Sequence, residues 1–496
     1  MSDSTEGYVP PKKPGYRTVV LFLLTIVYGF NFIDRQIVGI LAPFIQADLE
    51  LTNTQLGLLI GLAFAAFYTI MGIPLAFLAD KMNRVNLLAI ALAVWSGFTA
   101  LTGMSQNFLH IALARIGVGI GEAGGSPPSH SMISDFYGKE ERSGALGIYS
   151  LGIPLGIMSA YFFTAALLGT DPNVVDWRRI FIILGLTGIV LAVIVRVVIR
   201  EPRRGAMETK VTPTSAYIPL GESFRRSNLP PRFALAGLFL AIVLAGLFVG
   251  NLSWLFVVIA ILLAMSIFLL SLQPGVITLV SIPSWWWMCL GIAFASFASY
   301  ALSGFQTKYL RLLDPEFNFR TIVIWIGVIN GTFYVAGTFF GAKLVDILAK
   351  KDIRAYGFIP AFATAIALPL AIAAFWVPSV VAHLAIGAVL QLFLGVYLGP
   401  SFAIAQTLAP IRLRAMSTAL FFFVLNMIAL GGGPTFAGAM IDVFLNLEFN
   451  ELISTRYAMY STFGAFILSI LAYLFVTRTL PKDWAAAEIR NSVAPK

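Results

Sequence analysis

Asn31-Phe32-Ile33-Asp34-Arg35 places an acid and a base side by side in an apolar run that extends from Arg17 to Pro43 and holds no other charge beyond Arg17. A second acid and base, Arg115 and Glu122, share the later apolar run 108–131. A helix rising ~1.5 Å per residue crosses ~30 Å of hydrocarbon in about 20 residues, so both runs are long enough to span a bilayer. Ionisable groups at that depth are costly, and they line a pathway, relay protons or pair with one another. Asp34 lies nine residues before Pro43 and Arg115 seven after Phe108. On antiparallel helices both fall ~10–14 Å below the same interface, which makes an Asp34–Arg115 pair geometrically reasonable. Glu122 is two turns beyond Arg115, near the midplane. Burial favours a neutral carboxyl and a neighbouring Arg favours a charged one, so a carboxyl poised between them can load and release a proton. A permanent ion pair that holds two helices together is the competing reading of all four residues.

Composition sets the frame for these groups. Of 496 residues, 58% are hydrophobic and 11% charged, against about 25% charged in an ordinary soluble domain. The chain is therefore an all-α polytopic membrane protein. The net charge of +9 marks inner loops rather than nucleic-acid binding. The single cysteine, Cys289, rules out an intrachain disulfide. The polar N-terminus with Pro10, Pro11 and Pro14 is no cleavable signal peptide.

Apolar runs place spans at 17–43, 53–79, 86–104, 108–131, 143–169 and 178–199, then at 284–310, 321–348, 355–376, 379–409, 415–444 and 457–478. Between the two sets, residues 233–307 carry no Asp, Glu, Lys or Arg. Gly250-Asn251 and Gln273-Pro274-Gly275 divide this stretch, which predicts two extra spans at 233–250 and 252–272; a re-entrant hairpin is the alternative. The organisation expected is a tail at 1–16, a six-helix bundle at 17–199 and a linker at 200–232. An inserted hairpin and connector follow at 233–283, then a second six-helix bundle at 284–478 and a tail at 479–496. With both termini in the cytoplasm, 25 of 33 Lys and Arg fall on the inner side, the bias expected of cytoplasmic loops. Short tails and a short linker suggest a bacterial inner membrane.

The halves echo each other. Ala76-Phe77-Leu78-Ala79-Asp80 and Ala342-Lys343-Leu344-Val345-Asp346 share A-x-L-x-D at matching positions, each followed by basic residues. Asp80-Lys81-Met82-Asn83-Arg84 resembles the loop between spans two and three of the major facilitator superfamily, with Ala76 and Asn83 in place of its usual glycines. Together with Asn31–Arg35, with Arg115 followed by Gly117–Ala123, and with Ile153-Pro154-Leu155-Gly156, it resembles the spinster family of that superfamily, as a bacterial-type homologue. This resemblance is concentrated in residues 20–160.

The resemblance implies a 6+6 helix bundle and a secondary active transporter that works by alternating access. It implies a lysophospholipid or sphingolipid-like amphiphile as substrate and coupling to protons; a carrier of small organic anions or drugs is the alternative. Asp34, Arg35, Arg115 and Glu122 are the expected coupling and substrate residues, an Arg fork suiting a phosphate. Asp80, Lys81, Arg84, Arg142 and Asp346 are expected to latch the cytoplasmic ends, plain loop charge being the other reading. Asn31, Tyr149, Tyr300, Asn330, Gln391 and Asn426 are candidates to line the cavity or to make interhelical hydrogen bonds. The expected partners are substrate, protons and membrane lipids, with no nucleic acid, for a chain acting as a monomer.

No catalytic residue, metal site or cofactor is expected, because His110, His130 and His383 are scattered and no H-E-x-x-H grouping occurs. Gly119–Gly124 is a formal G-x-G-x-x-G, but no strand precedes it, which excludes a dinucleotide site. Gly117, Gly121 and Gly125 are instead expected to admit a close neighbour helix. Pro127 and Pro128 are expected to bend span four, and Gly431–Pro434 to kink span eleven.

Overall fold

The computed structural model describes residues 14–169, 175–207, 274–410 and 413–492. The hairpin expected at 233–272 and most of the linker lie outside the described residues. Twelve helical elements are named here α1–α12, and no strand occurs among the described residues. The first six are α1 (Pro14–Ile40), α2 (Asn53–Ile60 and Leu62–Lys81), α3 (Arg84–Thr102), α4 (Phe108–Glu122 and Ser126–Phe136), α5 (Lys139–Ser150 and Gly152–Leu167) and α6 (Trp177–Val198). The second six are α7 (Pro283–Leu313), α8 (Phe319–Ile329 and Val335–Ala349), α9 (Ala355–Trp376), α10 (Val380–Val396 and Leu398–Thr407), α11 (Arg414–Leu425 and Gly432–Asn446) and α12 (Glu451–Ser492). All but α4 are long and apolar enough to cross a membrane as single stretches. Where spans begin, Thr52, Asn83, Asn107, Asp176, Asn318 and Ser379 accept from backbone N–H groups of the first turn, which satisfies donors that lipid cannot.

Of the interrupted helices, α2 meets α11 and α5 meets α8 across the two halves, while α3 and α6 run unbroken and pack on each other within the first half. Pro127 and Pro128 open the second piece of α4, so its break falls at 123–125, just ahead of them. In α11 a π-helical turn, Asn426–Gly431, precedes Pro434; a proline cannot donate to the carbonyl four residues back, and the wide turn absorbs the misfit. A matching turn, Asn330–Tyr334, interrupts α8. There Asn330 Nδ2 donates to Ile326 O at 3.0 Å and Thr332 Oγ1 to Val328 O at 2.6 Å, local bonds of the kind that bend helices. The helix α12 continues past the expected boundary at 478 through Pro481 to Ser492. Trp484 stacks on Tyr356, Arg490 Nη2 donates to Leu408 O, and Asp483 accepts from the Ser284 N–H at the start of α7. The segment expected as a tail is thus a tie across one end of the second half.

Glycines set the helix crossings, and they do so with two-fold repetition. A Cβ on Gly156 would come within 2.3 Å of Gly29 O, closing α5 on α1; one on Gly433 would come within 2.3 Å of Phe297 O, closing α11 on α7. Gly119 against Phe64 O joins α4 to α2, and Gly395 against Tyr334 O joins α10 to α8. Gly117 and Gly121 pack on Phe98 and Trp95, drawing α3 onto α4. This repetition extends the duplication first visible in A-x-L-x-D.

The two ends of the bundle differ. At the end carrying the Asp80–Arg84 loop, here called the basic end, the bonds of Arg84, Arg204 and Gly205 stay within the first half. At the far end hydrogen bonds join the halves. Asp442 Oδ1 accepts from Asn53 N (3.1 Å) and Nδ2 (2.8 Å), and its Oδ2 from Thr54 N (2.7 Å) and Oγ1 (2.6 Å). Lys308, buried in α7, donates to Gln46 Oε1 (2.7 Å) and to Asn53 Oδ1, and pairs with Glu451 at 2.8 Å. Asp442 thus sits on the positive N-terminus of α2, where a carboxylate is stabilised. Around it Gly57 faces Pro434 O and Gly438 faces Asn53 O, at 2.3 and 2.1 Å from an added Cβ. Gly57→Ala therefore pushes backbone against backbone at this seal. Thermal unfolding of the purified variant is expected at a lower temperature than the parent, by about 1–3 kcal/mol of overpacking; an unchanged melting temperature would refute the close-contact account.

Candidate functional site

Adjacent residues on a helix point ~100° apart, so Asp34 and Arg35 of α1 find separate partners on α4. Asp34 Oδ1 lies 3.7 Å from Arg115 Nη1, and Arg35 Nε donates to Glu122 Oε2 at 2.8 Å. Asp34, Arg115 and Glu122 are buried, and Arg35 nearly so. Depth counting brings Asp34 to Arg115 as expected. The geometry adds that Glu122 bonds to Arg35 rather than to the Arg seven residues behind it on its own helix. The close glycine packing of α3 onto α4 brings Thr99 to this cluster, where its Oγ1 donates to Asp34 Oδ2.

Aromatic rings surround the two cations. Arg35 Cζ lies 4.3 Å from the Tyr68 ring centre and 5.0 Å from those of Phe32 and Phe64, and Arg115 Cζ is 5.1 Å from Phe64. Ring faces attract guanidinium and offset part of its lost hydration. Even so the cluster is only half bonded within the protein: Asp34 Oδ1, Glu122 Oε1, and Arg115 Nε and Nη1 are buried and make no hydrogen bond to another protein group. Buried polar atoms are rarely left so, and exceptions point to strain or function. Donors and acceptors are both free here, so the cluster can take a proton on a carboxylate or an anion on a guanidinium.

Arg35 also reaches the space between the halves. A cavity of about 20 Å³, roughly the size of one water, is lined by Phe32 and Arg35 of α1, Ile60 of α2, Tyr300 of α7, and Leu430 and Pro434 of α11. Of the expected lining residues, Tyr300 is here. Asn330 and Gln391 border a second small cavity inside the second half, beside Gln306 and His383. His383 is a bonded core residue, with Nδ1 2.7 Å from Ala374 O and Nε2 3.2 Å from Gln306 Nε2. Tyr149 is buried and stacks on Tyr28 at 4.5 Å. Asn31 and Asn426 are buried, the latter opening the π turn of α11.

At the basic end Arg84 turns into its own half. It pairs with Asp135 (2.5 Å) and Glu201 (2.7 Å) and donates to Ser131 Oγ and Pro202 O. Arg204 caps the end of α2 by donating to Ala79 O and Met82 O, and Gly205 N donates to Asp135. The segment after α6 is therefore strapped across the Asp80–Arg84 loop. Arg142 Nη2 donates to Ser134 O, again within the first half. Lys81 and Asp346 are exposed, and the side chain of Asp80 lies outside what is described. Sequence reading missed Thr99, Asp135, Glu201 and the far seal. A signal existed for the seal: Asp442 is the one acid in its span and Lys308 the one cation in 284–310.

Residues 24–313 match the sequence profile of the Major Facilitator Superfamily. An MFS-type efflux pump of Mycolicibacterium smegmatis is 28% identical over 422 residues, which are 85% of this chain and 83% of that one. A probable L-galactonate transporter of Escherichia coli (strain K12) is 31% identical over 177 residues, 36% of this chain and 38% of that one. A crystal structure of a bacterial homologue to the human lysosomal transporter spinster, inward-facing and unoccupied, superposes with a TM-score of 0.77 at 27% identity, covering 95% of this chain and 99% of that one. The chain belongs to the Major Facilitator Superfamily of membrane transporters and, within it, is similar in sequence and in fold to the spinster proteins.

Proposed function

We propose that the protein is a proton-coupled secondary transporter that moves a lysophospholipid or sphingolipid-like amphiphile by alternating access of its two six-helix halves. The observation that carries this reading is Arg35, a cation at the wall of the central cavity, held by Glu122 and set among Tyr68, Phe32 and Phe64. A guanidinium there suits a phosphate headgroup, and the apolar wall of Ile60, Leu430 and Pro434 suits an alkyl chain. In this reading Asp34 and Glu122 carry the proton and Arg35 and Arg115 meet the anion. Loss of a proton frees a carboxylate to hold its Arg; gain of one releases the Arg to substrate.

The second reading, a carrier of small organic anions, is favoured by the name of the L-galactonate transporter, whose match covers 36% of this chain. The same Arg35 would serve both substrates. For orientation, the density of Lys and Arg at the basic end supports a cytoplasmic location for that end and for both termini, in a bacterial inner membrane. On that orientation Asp442 and Lys308 close the outer side in the captured state. Asp80, Lys81, Arg84, Arg142 and Asp346 then form the inner latch of the opposite state, once Arg84 exchanges partners.

Two experiments test these roles. Asp34→Ala leaves Arg115 buried without its carboxylate, a loss of about 3–5 kcal/mol for a broken buried pair. The double variant Asp34→Ala/Arg115→Leu should be less destabilised than the sum of the single changes, and strict additivity in melting experiments would show that the pair is not coupled. For substrate class, thermal stabilisation of the purified protein by lysophospholipids, sphingoid phosphates and sugar acids is compared with that of Arg35→Ala. Saturable stabilisation by the lipids, lost in the variant, is the expected result. Stabilisation by the sugar acids alone moves the assignment to the second reading.

A further inference from the structure

The Thr99 hydroxyl faces two acceptors at once. Its Oγ1 is bonded to Asp34 Oδ2 and lies 3.0 Å from Trp95 O, the carbonyl one turn back on α3. A threonine hydroxyl has one proton to donate and two lone pairs to accept with, so it cannot donate to both. The other Asp34 oxygen, Oδ1, makes no hydrogen bond and faces Arg115 Nη1 at 3.7 Å. Guanidinium offers only donors, so a proton on Oδ1 would point at a cation and find no acceptor. A proton on Oδ2 would find Thr99 Oγ1.

We propose that Thr99 is the positioning residue that keeps Asp34 hydrogen-bonded in both of its protonation states. With Asp34 ionised, Thr99 donates to Oδ2. When a proton from the aqueous side binds Oδ2, the new O–H donates to Thr99 Oγ1 and the threonine proton rotates to Trp95 O. No proton is left over: Asp34 gains one, Thr99 keeps its own, and Trp95 O gains a bond. The inference rests on the reading of Asp34 as a coupling carboxylate. It matters because a carboxyl buried in this interior is disfavoured in whichever state lacks a hydrogen-bond partner. The groups facing Asp34 are Arg115 on α4, Thr99 on α3 and Arg35 on α1 itself, with Glu122 on α4 held by Arg35. Phe64 of α2 covers the guanidinium of Arg115. Of the groups in direct contact with Asp34, the Thr99 hydroxyl can both give and accept.

The test is an infrared difference titration of the purified full-length protein, following the protonated-carboxyl C=O band against pH. Asp34→Asn identifies the Asp34 band by its loss. Thr99→Val keeps the shape and removes the hydroxyl; because a bond to the ionised form is stronger than one to the neutral form, the Asp34 step should move up by about one pH unit. Thr99→Ser keeps the hydroxyl and should titrate like the parent, which also covers the case in which the valine variant fails to fold. If Asp34→Asn leaves every band in place, Asp34 does not exchange a proton and the coupling reading falls together with this inference. If the Asp34 band is lost in Asp34→Asn yet Thr99→Val titrates like the parent, or Thr99→Ser does not, this inference alone is overturned.

Discussion

Burying charge without water is costly, and the protein meets that cost by pairing each acid with a base across α1 and α4. Asp34 meets Arg115 and Arg35 meets Glu122, with aromatic rings over both guanidinium groups. The rest of the first half is arranged to hold these pairs. Gly29 and Gly156 bring α5 against α1, Gly119 brings α4 against α2, and Gly117 and Gly121 bring α3 close enough for Thr99 to reach Asp34. Lipid offers backbone groups no partner, so helices are obligatory, and small residues fix how near the helices come. The pairs are nonetheless incompletely bonded to other protein groups.

The halves are alike in backbone and unlike in chemistry. Glycine crossings repeat between α1–α5 and α7–α11 and between α2–α4 and α8–α10. Yet the buried acid–base pairs at mid-depth lie in the first half, while the second contributes Tyr300, the polar group around His383 and two π turns. Each half is tied at the basic end by its own strap: Glu201 to Gly205 across the loop of α2 and α3, and the end of α12 across α7, α9 and α10. The halves are joined at the far end by Asp442 and Lys308. Two internally tied bodies joined through Asp442 and Lys308 are the arrangement that the proposed rocking requires.

Much of this was legible in sequence, and the physical reasons are specific. Span positions follow from apolar length, and the Asp34–Arg115 contact follows from counting residues inward from each interface. The Arg35–Glu122 bond was not legible, because reach along a helix does not say which of two arginines a carboxylate will choose. Thr99 carries no charge and looks like any membrane-helix threonine until α3 is placed. Asp442 was overlooked because an acid near a span end reads as loop charge; its value lies in meeting the N-terminus of a helix 389 residues away in sequence. The kink expected from Gly431–Pro434 occurs as a π turn just before it, since proline disturbs the turn that precedes it. The length of α12 was misjudged because Pro481 and the charges after it signal an end, whereas packing of Trp484 and Arg490 continues the helix.

The central claim is that protonation of the α1–α4 acids biases which end of the bundle is open. Spin-label distances measure this directly, with one label pair at exposed far-end positions Glu50 and Glu448 and another at basic-end positions Met82 and Lys350, in a background where the buried Cys289 is replaced by Ala. Lowering the pH should redistribute both distances in opposite senses in the parent, and Glu122→Gln combined with Asp34→Asn should hold one distribution at every pH. Distances that respond to pH identically with and without the two acids, or that never respond, would contradict the account.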